Sequence, residues 1–221
     1  NFEQIIILPL FPHYASATNG SVIEESMNII KKWWVIPELS FVSQFYDHDF
    51  YLDGFAEKGL EHNLEEYDHI LFSFHGLPER HVDKVYNDGL CQDNDCEQGV
   101  SEANKFCYKA TCYETVNQIV KRLKLKPEDY SVGFQSRLGR GWIEPFSDKI
   151  IEQKAKEGAK KMLVFSPAFV ADCLETTKET TDEYNELFQE HGGEKVQLVE
   201  SLNSSDNFVN GLKEMVIKRS V

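Results

Sequence analysis

Five cysteines occur in the 221 residues, and four of them are clustered in the middle of the chain. Cys91, Cys96, Cys107 and Cys112 lie close together, whereas Cys173 stands apart. An odd number of cysteines in a chain long enough to form a large core is not typical of a small secreted domain held by disulfides. The cluster therefore predicts an intracellular metal or iron-sulfur site, with disulfides or unligated thiols as the alternative.

His75 directly follows an apolar segment, Phe72-Ser73-Phe74, that is typical of a buried strand. The Gly-Leu-Pro sequence after it turns the chain, so we expect the imidazole to project into a cleft. Histidine changes charge near neutral pH and binds metals, which makes His75 a candidate base or metal ligand. The alternative is a hydrogen-bonded structural histidine at the end of a strand.

Three glutamates, Glu175, Glu179 and Glu183, are spaced by four residues within a predicted helix. This spacing places their carboxylates along one helical face. Carboxylates can bind a hard or borderline cation, and Glu175 has the best position because it lies near the start of the helix. The surrounding segment is also acidic, so a solvated charged face is the alternative.

Cationic and aromatic side chains are combined in the segment after another predicted strand, which ends at Gln135. Arg137, Arg140 and Trp142 stand there within six residues of one another. Such a set suits an anionic, flat and apolar ligand. Alternatively, the arginines pair only with the acidic surface around them.

Short apolar segments alternate with longer segments of helical period, which is typical of βα units around a parallel sheet. We therefore predict an α/β fold with a parallel sheet flanked by helices. The predicted strands are Gln4–Leu8, Ser40–Phe45, His69–Phe74, Ser131–Gln135, Met162–Phe165 and Val196–Val199. The predicted helices are Val22–Trp34, Tyr51–Asn63, Tyr108–Leu123, Pro145–Glu157, Asp172–Glu190 and Asp206–Lys218.

The candidate residues fall in four loops that follow predicted strands. In open parallel sheets, ligands bind beyond the carboxyl ends of the strands. We therefore expect the loops to surround one cleft at one edge of the sheet; they span residues 9–14, 75–80, 135–142 and 166–172. The segment of about 33 residues before the helix at Tyr108 is far longer than a usual βα loop, which indicates a functional segment or an insertion.

Charge and hydropathy limit the classes of function. The formal net charge is −14, from 23 Lys and Arg against 37 Asp and Glu. This argues against a nucleic-acid partner and is compatible with attracting cations. The longest apolar run, Ile5–Leu8, is far shorter than the roughly 20 residues of a membrane span. We expect a cytoplasmic protein, with peripheral contact to a membrane as an open alternative.

Four motifs resemble those of the ferrochelatases, which insert ferrous iron into protoporphyrin to form haem. The resemblance runs from about residue 4 to the C-terminus. It implies that His75 is a metal ligand and an acceptor of pyrrole protons, that Glu175 is essential, and that Glu179 and Glu183 continue the acidic line to the surface. The motifs are Pro-Leu-Phe-Pro-His-Tyr (9–14), Phe-Ser-Phe-His-Gly-Leu-Pro-Glu-Arg (72–80), Phe-Gln-Ser-Arg-Leu-Gly-Arg (134–140) with Trp142, and Ser-Pro-Ala-Phe-Val-Ala-Asp-Cys-Leu-Glu-Thr (166–176).

The same resemblance implies a chelatase-like, Rossmann-like three-layer domain whose substrates are protoporphyrin and ferrous iron. Residues 1–36 are then the remnant of a similar preceding domain, and residues 37–221 are the C-terminal chelatase domain. Because ferrochelatases build the porphyrin cleft between two such domains, we expect this part alone to leave the cleft incomplete. The residues implied to bind the porphyrin are Tyr14, Arg137, Trp142 and Phe169.

The cysteine-bearing insertion, at about 81–107, resembles that of ferrochelatases with a [2Fe-2S] cluster. The resemblance implies four ligands, Cys91, Cys96, Cys107 and Cys112. Zinc is the nearest competitor, and disulfides or unligated thiols remain the alternative to both.

Two positions depart from the family pattern, and two other classes of function stay open. Cys173 stands where some ferrochelatases have a histidine, and His13 stands where they have a glutamine. The alternative functions are a chelatase for coproporphyrin or cobalt, and a non-catalytic iron-sulfur or metal-binding module. In the favoured mechanism, His75 and Glu175 face each other across one cleft, with His75 on one side of the porphyrin and Glu175 on the other.

Overall fold

Strands and helices alternate along the chain in a computed structural model that describes residues 2–86 and 96–220. The strands are β1 Gln4–Ile7, β2 Glu38–Phe41, β3 His69–His75, β4 Tyr130–Gln135, β5 Lys161–Phe165 and β6 Lys195–Leu198. The α-helices are α1 Ser21–Ile30, α2 Asp49–Leu60, α3 Glu79–Asp83, α4 Tyr108–Leu123, α5 Ser147–Lys156, α6 Tyr184–Glu190 and α7 Asp206–Ile217. The predicted α/β fold, with parallel strands flanked by helices, is confirmed.

The strands form two parallel sheets. Four strands pair in the order β4-β3-β5-β6, and β1 pairs separately with β2. Every described strand pair is parallel. An alternating sequence pattern indicates that strands exist, but long-range packing decides which strands pair.

Two helical layers cover the four-stranded sheet, and β3 separates them. Leu71 belongs to the apolar cluster built with α5 and α6, whereas Phe72 and Phe74 belong to the cluster built with α2, α4 and α7. Successive strand residues point to opposite faces, so β3 is buried on both sides. Burial of each such side chain stabilises the fold by about 1.5–3 kcal/mol. His75 is the last residue of this buried strand and lies where the strand reaches the surface.

Two helices differ from the prediction. The acidic segment predicted as one helix, 172–190, is a π-helix over Glu175–Glu183 that continues as α6. The first helix ends at Ile30, well before the predicted end at Trp34, whose side chain is fully exposed. A second π-helix, Ser16–Gly20, precedes α1. Single-sequence patterns do not distinguish helices of 3.6 residues per turn from the wider π form.

The part of the chain described by the structure contains no helix with the length and apolarity required to cross a bilayer.

Gly133 allows β4 to approach α5, and this contact yields a test of the packing. A Cβ atom at this position would lie 2.7 Å from Ser147 Oγ and 3.0 Å from Ser147 Cα. We therefore expect Gly133→Ala to lower the free energy of unfolding by about 1–3 kcal/mol, because the added methyl group overpacks the interface. Urea unfolding measures the change.

The matched control is Gly20→Ala. Gly20 has φ −60, and its nearest atom beyond its neighbours would lie 3.4 Å from the new Cβ. This substitution should leave the protein as stable as before or more stable by about 0.4–1 kcal/mol. Equal losses in the two variants would contradict the proposed tight contact between β4 and α5.

Candidate active site

A cavity of about 350 Å³ lies beyond the carboxyl ends of β1, β3 and β5. This volume falls within the range of small-molecule sites. Three of the four predicted loops contribute to its wall, whereas the loop after β4 contributes none of the lining residues. Most of these residues are apolar: they are Phe11, Pro12, His13, Ala15, Ala17, Thr18, His75, Leu77, Tyr108, Ala168, Phe169 and Glu175.

His75 is the last residue of β3, and its ring orientation is set by the turn that follows. Its Nδ1 lies 2.7 Å from the Gly76 carbonyl oxygen, which can only accept a hydrogen bond. In the neutral ring Nδ1 therefore carries the proton, and Nε2 presents a lone pair. The Gly76 N–H in turn donates to the Gln135 carbonyl oxygen at 2.8 Å. A Cβ at Gly76 would lie 2.6 Å from that oxygen, so this turn requires glycine.

Glu175 begins the longer π-helix and faces the lone pair of His75. Glu175 Oε2 lies 3.7 Å from His75 Nε2, and the two side chains are 47% and 38% exposed. First-row divalent metals such as zinc lie about 2.1 Å from such ligand atoms, so two ligands of one cation are at most roughly 4 Å apart. The separation allows both side chains to bind the same cation.

The expected arrangement of these two residues is confirmed in one respect and wrong in another. His75 and Glu175 do face each other in one cleft, as predicted. A flat macrocycle between them would require about 7 Å, which is two van der Waals contacts. The observed 3.7 Å excludes it. In this structure both side chains therefore lie on the same side of any bound ring.

A second histidine-glutamate pair, between α5 and α6, has nearly the same local geometry. His191 Nδ1 lies 2.9 Å from the Leu187 carbonyl oxygen, and Nε2 lies 3.6 Å from Glu152 Oε1. Glu152 also pairs with Lys156 at 2.6 Å and Lys149 at 2.9 Å. The hydrogen bonds from these lysines lower the pKa of Glu152 to about 2, and the bond from Lys156 has the largest effect. Its negative charge is thus already compensated.

The charge of Glu175 is not compensated in this way. Within residues 2–86 and 96–220, no lysine or arginine lies within ion-pairing distance of Glu175. His75 and Glu175 also line a cavity, and the pair formed by His191 and Glu152 does not line that cavity. The contrast distinguishes a carboxylate available to a cation from a carboxylate engaged in surface ion pairs.

The other two glutamates of the predicted acidic line, Glu179 and Glu183, share the π-helix with Glu175. Glu183 is exposed, while the Glu179 side chain lies outside the described atoms. A π-helix turns by roughly 80° per residue, so a spacing of four still places residues near one face. Metal binding by these two residues stays a prediction.

Two predicted porphyrin-binding residues lie at or beside the cavity. Phe169 is in its wall, with its ring centroid 6.4 Å from that of His75. The loop between β5 and Phe169 is held by a hydrogen bond in which the Tyr51 hydroxyl donates to the Pro167 carbonyl oxygen at 2.7 Å. Tyr14 instead lines a much smaller adjoining cavity and a separate groove along α1.

The remaining two predicted residues are engaged elsewhere. Arg137 makes a bidentate pair with Asp148, at 2.6 and 2.7 Å, and its guanidinium lies 4.1 Å from the centre of the Phe146 ring. Trp142 forms a backbone bridge with Pro78. Neither residue is among the lining residues of the cavity. Their binding of a porphyrin stays a prediction.

Comparisons with known proteins identify the family. A family model described as ferrochelatase matches residues 1–220. The chain belongs to the ferrochelatase family. The ferrochelatase of Ectopseudomonas mendocina (strain ymp) is 41% identical over 214 residues, and that of Stutzerimonas stutzeri (strain A1501) is 38% identical over 216. Each match covers 96% of this chain and 63% of the relative, so the chain spans less than two thirds of these ferrochelatases.

A solved structure supports the fold assignment. The structure described as SirB from Bacillus subtilis with Fe3+ superposes with a TM-score of 0.61, covering 98% of this chain and 71% of that chain. At 9% identity the likeness concerns the fold alone. It confirms the prediction of a chelatase-like fold.

His13, at a position that departs from the ferrochelatase pattern, lies in the wall of the cavity. Its ring is 2% exposed and meets the edge of Phe74 at 5.3 Å between centroids. The Thr115 hydroxyl donates to the Tyr46 carbonyl oxygen and so accepts from His13 Nε2, at 2.9 Å. Burial lowers the pKa of His13 to about 3, so this imidazole is neutral. Its place after β1, in a loop expected at the cleft, was the available signal.

Three of the four clustered cysteines fall within the described residues. Cys96, Cys107 and Cys112 are buried, and Cys96 Sγ lies 3.8 Å from Cys107 Sγ. Cys107 is the N-cap residue of α4, where the helix dipole favours a thiolate. Cys91 lies outside the described residues. Cys173 is exposed and belongs to the segment just before Glu175.

The thiols fit an iron-sulfur cluster in chemistry and burial, but the described part does not complete a metal site. Burial raises the pKa of the Cys112 thiol well above its ordinary value. A bound metal would stabilise the thiolate form instead. Among the described residues, no group of three or more His, Cys, Asp or Glu side chains is arranged to hold a metal. The predicted [2Fe-2S] cluster therefore stays a prediction.

The buried neutral state of His13 predicts how stability depends on pH. Below about pH 6.5 the unfolded chain protonates His13, whereas the folded protein does so only near pH 3. The free energy of unfolding should therefore fall as the pH is lowered through this window. Between about pH 7 and pH 5, His13 should account for about 2 kcal/mol of the loss.

His13→Gln should remove this part of the pH dependence, because glutamine keeps a polar side chain that does not titrate. Urea unfolding of both proteins at the two pH values measures it. His48→Gln, at an exposed histidine, is the control and should retain the wild-type dependence. An unchanged dependence in His13→Gln would show that His13 is not buried in its neutral form.

Proposed function

We propose that the full-length protein inserts ferrous iron into protoporphyrin to form haem, and that His75 and Glu175 carry out this reaction. The observation that carries the proposal is the 3.7 Å separation of His75 Nε2 and Glu175 Oε2 in the wall of an apolar cavity. A lone pair, an available carboxylate and an apolar wall are what metal insertion into a flat ring requires. Membership of the ferrochelatase family supports the same conclusion.

In this mechanism His75 accepts protons from the ring. Insertion replaces two pyrrole N–H bonds with bonds to iron, so the ring, Fe²⁺ and a base yield the iron complex and two protons. His75 Nε2 is the acceptor because its Nδ1 proton is engaged by the Gly76 carbonyl oxygen. Each proton can leave to water before the next transfer, since the His75 side chain is 38% exposed.

Glu175 holds the ferrous ion and delivers it to the same face. Its carboxylate is a suitable ligand for a divalent cation and has no lysine or arginine competing for it among the described residues. Glu183, which is exposed on the same π-helix, and Glu179 bind the ion before it reaches Glu175 in this proposal. Glu175 delivers the iron and His75 accepts the protons on the same face of the porphyrin. The protein must therefore hold the porphyrin against this wall of the cavity, where Phe169 and Leu77 provide apolar contacts.

The porphyrin cleft is completed by parts of the protein beyond this chain. The separate sheet formed by β1 and β2 supports a boundary between two domains. Because β2 pairs with β1 and not with the four-stranded sheet, we place the boundary after Phe41, a few residues beyond the predicted position at residue 36. A two-stranded sheet is marginal by itself, so the preceding domain contributes its remaining strands.

Cys91, Cys96, Cys107 and Cys112 hold one [2Fe-2S] cluster in this proposal. The support is the short distance between Cys96 and Cys107 and the burial of all three described thiols. Four thiolates satisfy such a cluster, which supplies one-electron chemistry and ties the insertion to α4 when bound.

Substitution of the proposed catalytic pair tests the reaction. In the full-length protein, His75→Ala and Glu175→Gln should each lower turnover by about 10²–10⁴-fold, because each removes proton acceptance or iron delivery. Iron-dependent loss of protoporphyrin fluorescence measures turnover, and the same assay with coproporphyrin tests the substrate.

The matched controls are His191→Ala and Glu152→Gln, which disrupt a pair of nearly the same geometry away from the cavity. They should retain turnover within about threefold of wild type, since neither contacts the cavity. If His75→Ala or Glu175→Gln behaves like these controls, that residue has no part in the mechanism.

The cluster assignment predicts which cysteines bind iron. Anaerobically purified protein should contain two iron and two acid-labile sulfide ions per chain, as the formula of the cluster requires. Serine at position 91, 96, 107 or 112 should abolish the visible absorption of the cluster, and Cys173→Ser should preserve it. If the wild-type protein contains iron without sulfide, or contains zinc, the cluster assignment is wrong and the cysteines form a mononuclear metal site.

A further inference from the structure

The segment that leads from β5 to Glu175 has little regular structure of its own. Residues 166–173 form neither a strand nor a helix, and the residues from Cys173 to Glu175 are exposed. Burial in the core therefore does little to fix the backbone just before Glu175. The separation of 3.7 Å between its carboxylate and His75 Nε2 must depend on other contacts of this segment.

Asp172 fastens the segment to the loop between β6 and α7. Its backbone N–H donates to Asn203 Oδ1 at 2.9 Å, and the Asn203 amide donates back to Asp172 Oδ2 at 2.7 Å. The Ser201 N–H donates to the second carboxylate oxygen of Asp172, Oδ1, at 3.1 Å. The Asn203 N–H donates to the Val170 carbonyl oxygen at 2.8 Å. These four hydrogen bonds form what we call the Asp172–Asn203 clamp.

The loop that supplies Asn203 is anchored in the core. Ser201 and Leu202 are 2% and 1% exposed, and a Cβ atom at Gly54 would lie 2.9 Å from Leu202 Cδ2. Asn203 itself has φ 48, in the left-handed region that asparagine tolerates better than most residues other than glycine. Because the loop is held by buried neighbours, the clamp fixes Asp172 relative to the sheet.

The first turn of the π-helix follows directly from the clamp. The Cys173 carbonyl oxygen accepts from the Thr177 N–H at 3.0 Å and from the Thr177 hydroxyl at 2.9 Å. On the other side of the clamp, β6 pairs with β5, and β5 pairs with β3, which ends at His75. The clamp thus ties the turn that carries Glu175 to the same sheet that carries His75.

We propose that Asn203 is a positioning residue that acts through Asp172 to hold Glu175 at the distance from His75 at which one ferrous ion contacts both side chains. The proposal rests on the proposed function, in which Glu175 holds the ion and His75 accepts the pyrrole protons. Asn203 does not contact the reacting atoms in this scheme. Without the clamp the exposed turn is free to shift, and a displacement of about 1 Å can cost about 10²-fold in rate.

Asn203→Gly removes the amide and leaves the backbone conformation accessible, since glycine adopts a positive φ without strain. In the full-length protein this variant should lower kcat roughly tenfold and leave KM for the porphyrin within about twofold, because the apolar wall is unchanged. Hydrogen exchange followed by mass spectrometry should show faster exchange in the peptide that contains Asp172, whose N–H loses its acceptor.

Exchange of the two side chains tests whether the hydrogen bonds themselves matter. Asp172→Asn alone places two amide donors opposite each other, and Asn203→Asp alone places two carboxylates opposite each other. Each single variant should therefore lower kcat. When both changes are combined, the new amide can donate to the new carboxylate, and the backbone N–H groups keep their acceptors. The double variant should recover turnover to within about threefold of wild type, which a loss of packing would not allow.

The Glu175→Gln background separates positioning from a general structural role. If Asn203 acts only by placing the carboxylate of Glu175, then Asn203→Gly should cause no further loss of single-turnover rate once that carboxylate is absent. Independent effects would multiply instead.

The matched control is a second aspartate that holds a loop, at the opposite edge of the same sheet. Asp68 Oδ2 accepts from the Lys160 and Lys161 N–H groups at 2.7 and 2.9 Å. Asp172→Ala and Asp68→Ala should both lower the urea concentration at the midpoint of unfolding, because each removes hydrogen bonds that hold a loop. Only Asp172→Ala should also lower kcat, whereas Asp68→Ala should stay within about threefold of wild type.

Wild-type kcat in Asn203→Gly would overturn the proposal, as would failure of the combined exchange to restore turnover. An equal loss from Asn203→Gly in the wild-type and Glu175→Gln backgrounds would also overturn it. If Asn203→Gly does not fold, Asp172→Asn and its rescue by Asn203→Asp decide by the same criterion. Failure of the proposed function has a different signature, because Glu175→Gln would then turn over like wild type while hydrogen exchange around Asp172 still responds to Asn203→Gly.

Discussion

The double burial of β3 is the constraint on which the site depends. This strand pairs in parallel with β4 on one side and β5 on the other, and its side chains pack alternately into two helical layers. A strand held on both edges and both faces has little freedom, so its last residue leaves the sheet in a defined direction. His75 is that residue, and the Gly76 turn orients its ring through a carbonyl oxygen. The rigid core thus positions a half-exposed imidazole.

Local geometry alone does not make a histidine-glutamate pair functional. The pairs His75–Glu175 and His191–Glu152 share a carbonyl-bound Nδ1 and nearly equal separations. The difference lies in their surroundings, because Glu152 is compensated by lysines, whereas Glu175 faces an apolar cavity. The neighbouring charges decide which carboxylate can bind a metal cation. A carboxylate that already forms strong ion pairs with lysines must first lose them, so it binds a cation less easily.

The cysteine segment is part of the structure around the cavity. Cys107 is the N-cap residue of α4, and Cys112 lies in this helix. The first turn of α4 also contributes Tyr108 to the cavity wall. His13 contacts the same tyrosine ring at 5.9 Å between centroids, so buried rings connect the loop after β1 with α4. Polar groups buried among aromatic rings are costly to leave unpaired, which makes their few hydrogen bonds sensitive to any change in a neighbour.

Much of this molecule follows from its sequence, because apolar periodicity reflects burial directly. The six strands, the exact helix Tyr108–Leu123 and the placement of His75 and Glu175 at one cleft were all predicted from local patterns and motif resemblance. Tertiary structure decided what depends on distant contacts: the split into two sheets, the π-helix at Glu175 and the pairing of Arg137 with Asp148. It also decided that His75 and Glu175 share one face and that His13 is buried, since separation and burial arise only when remote segments pack together.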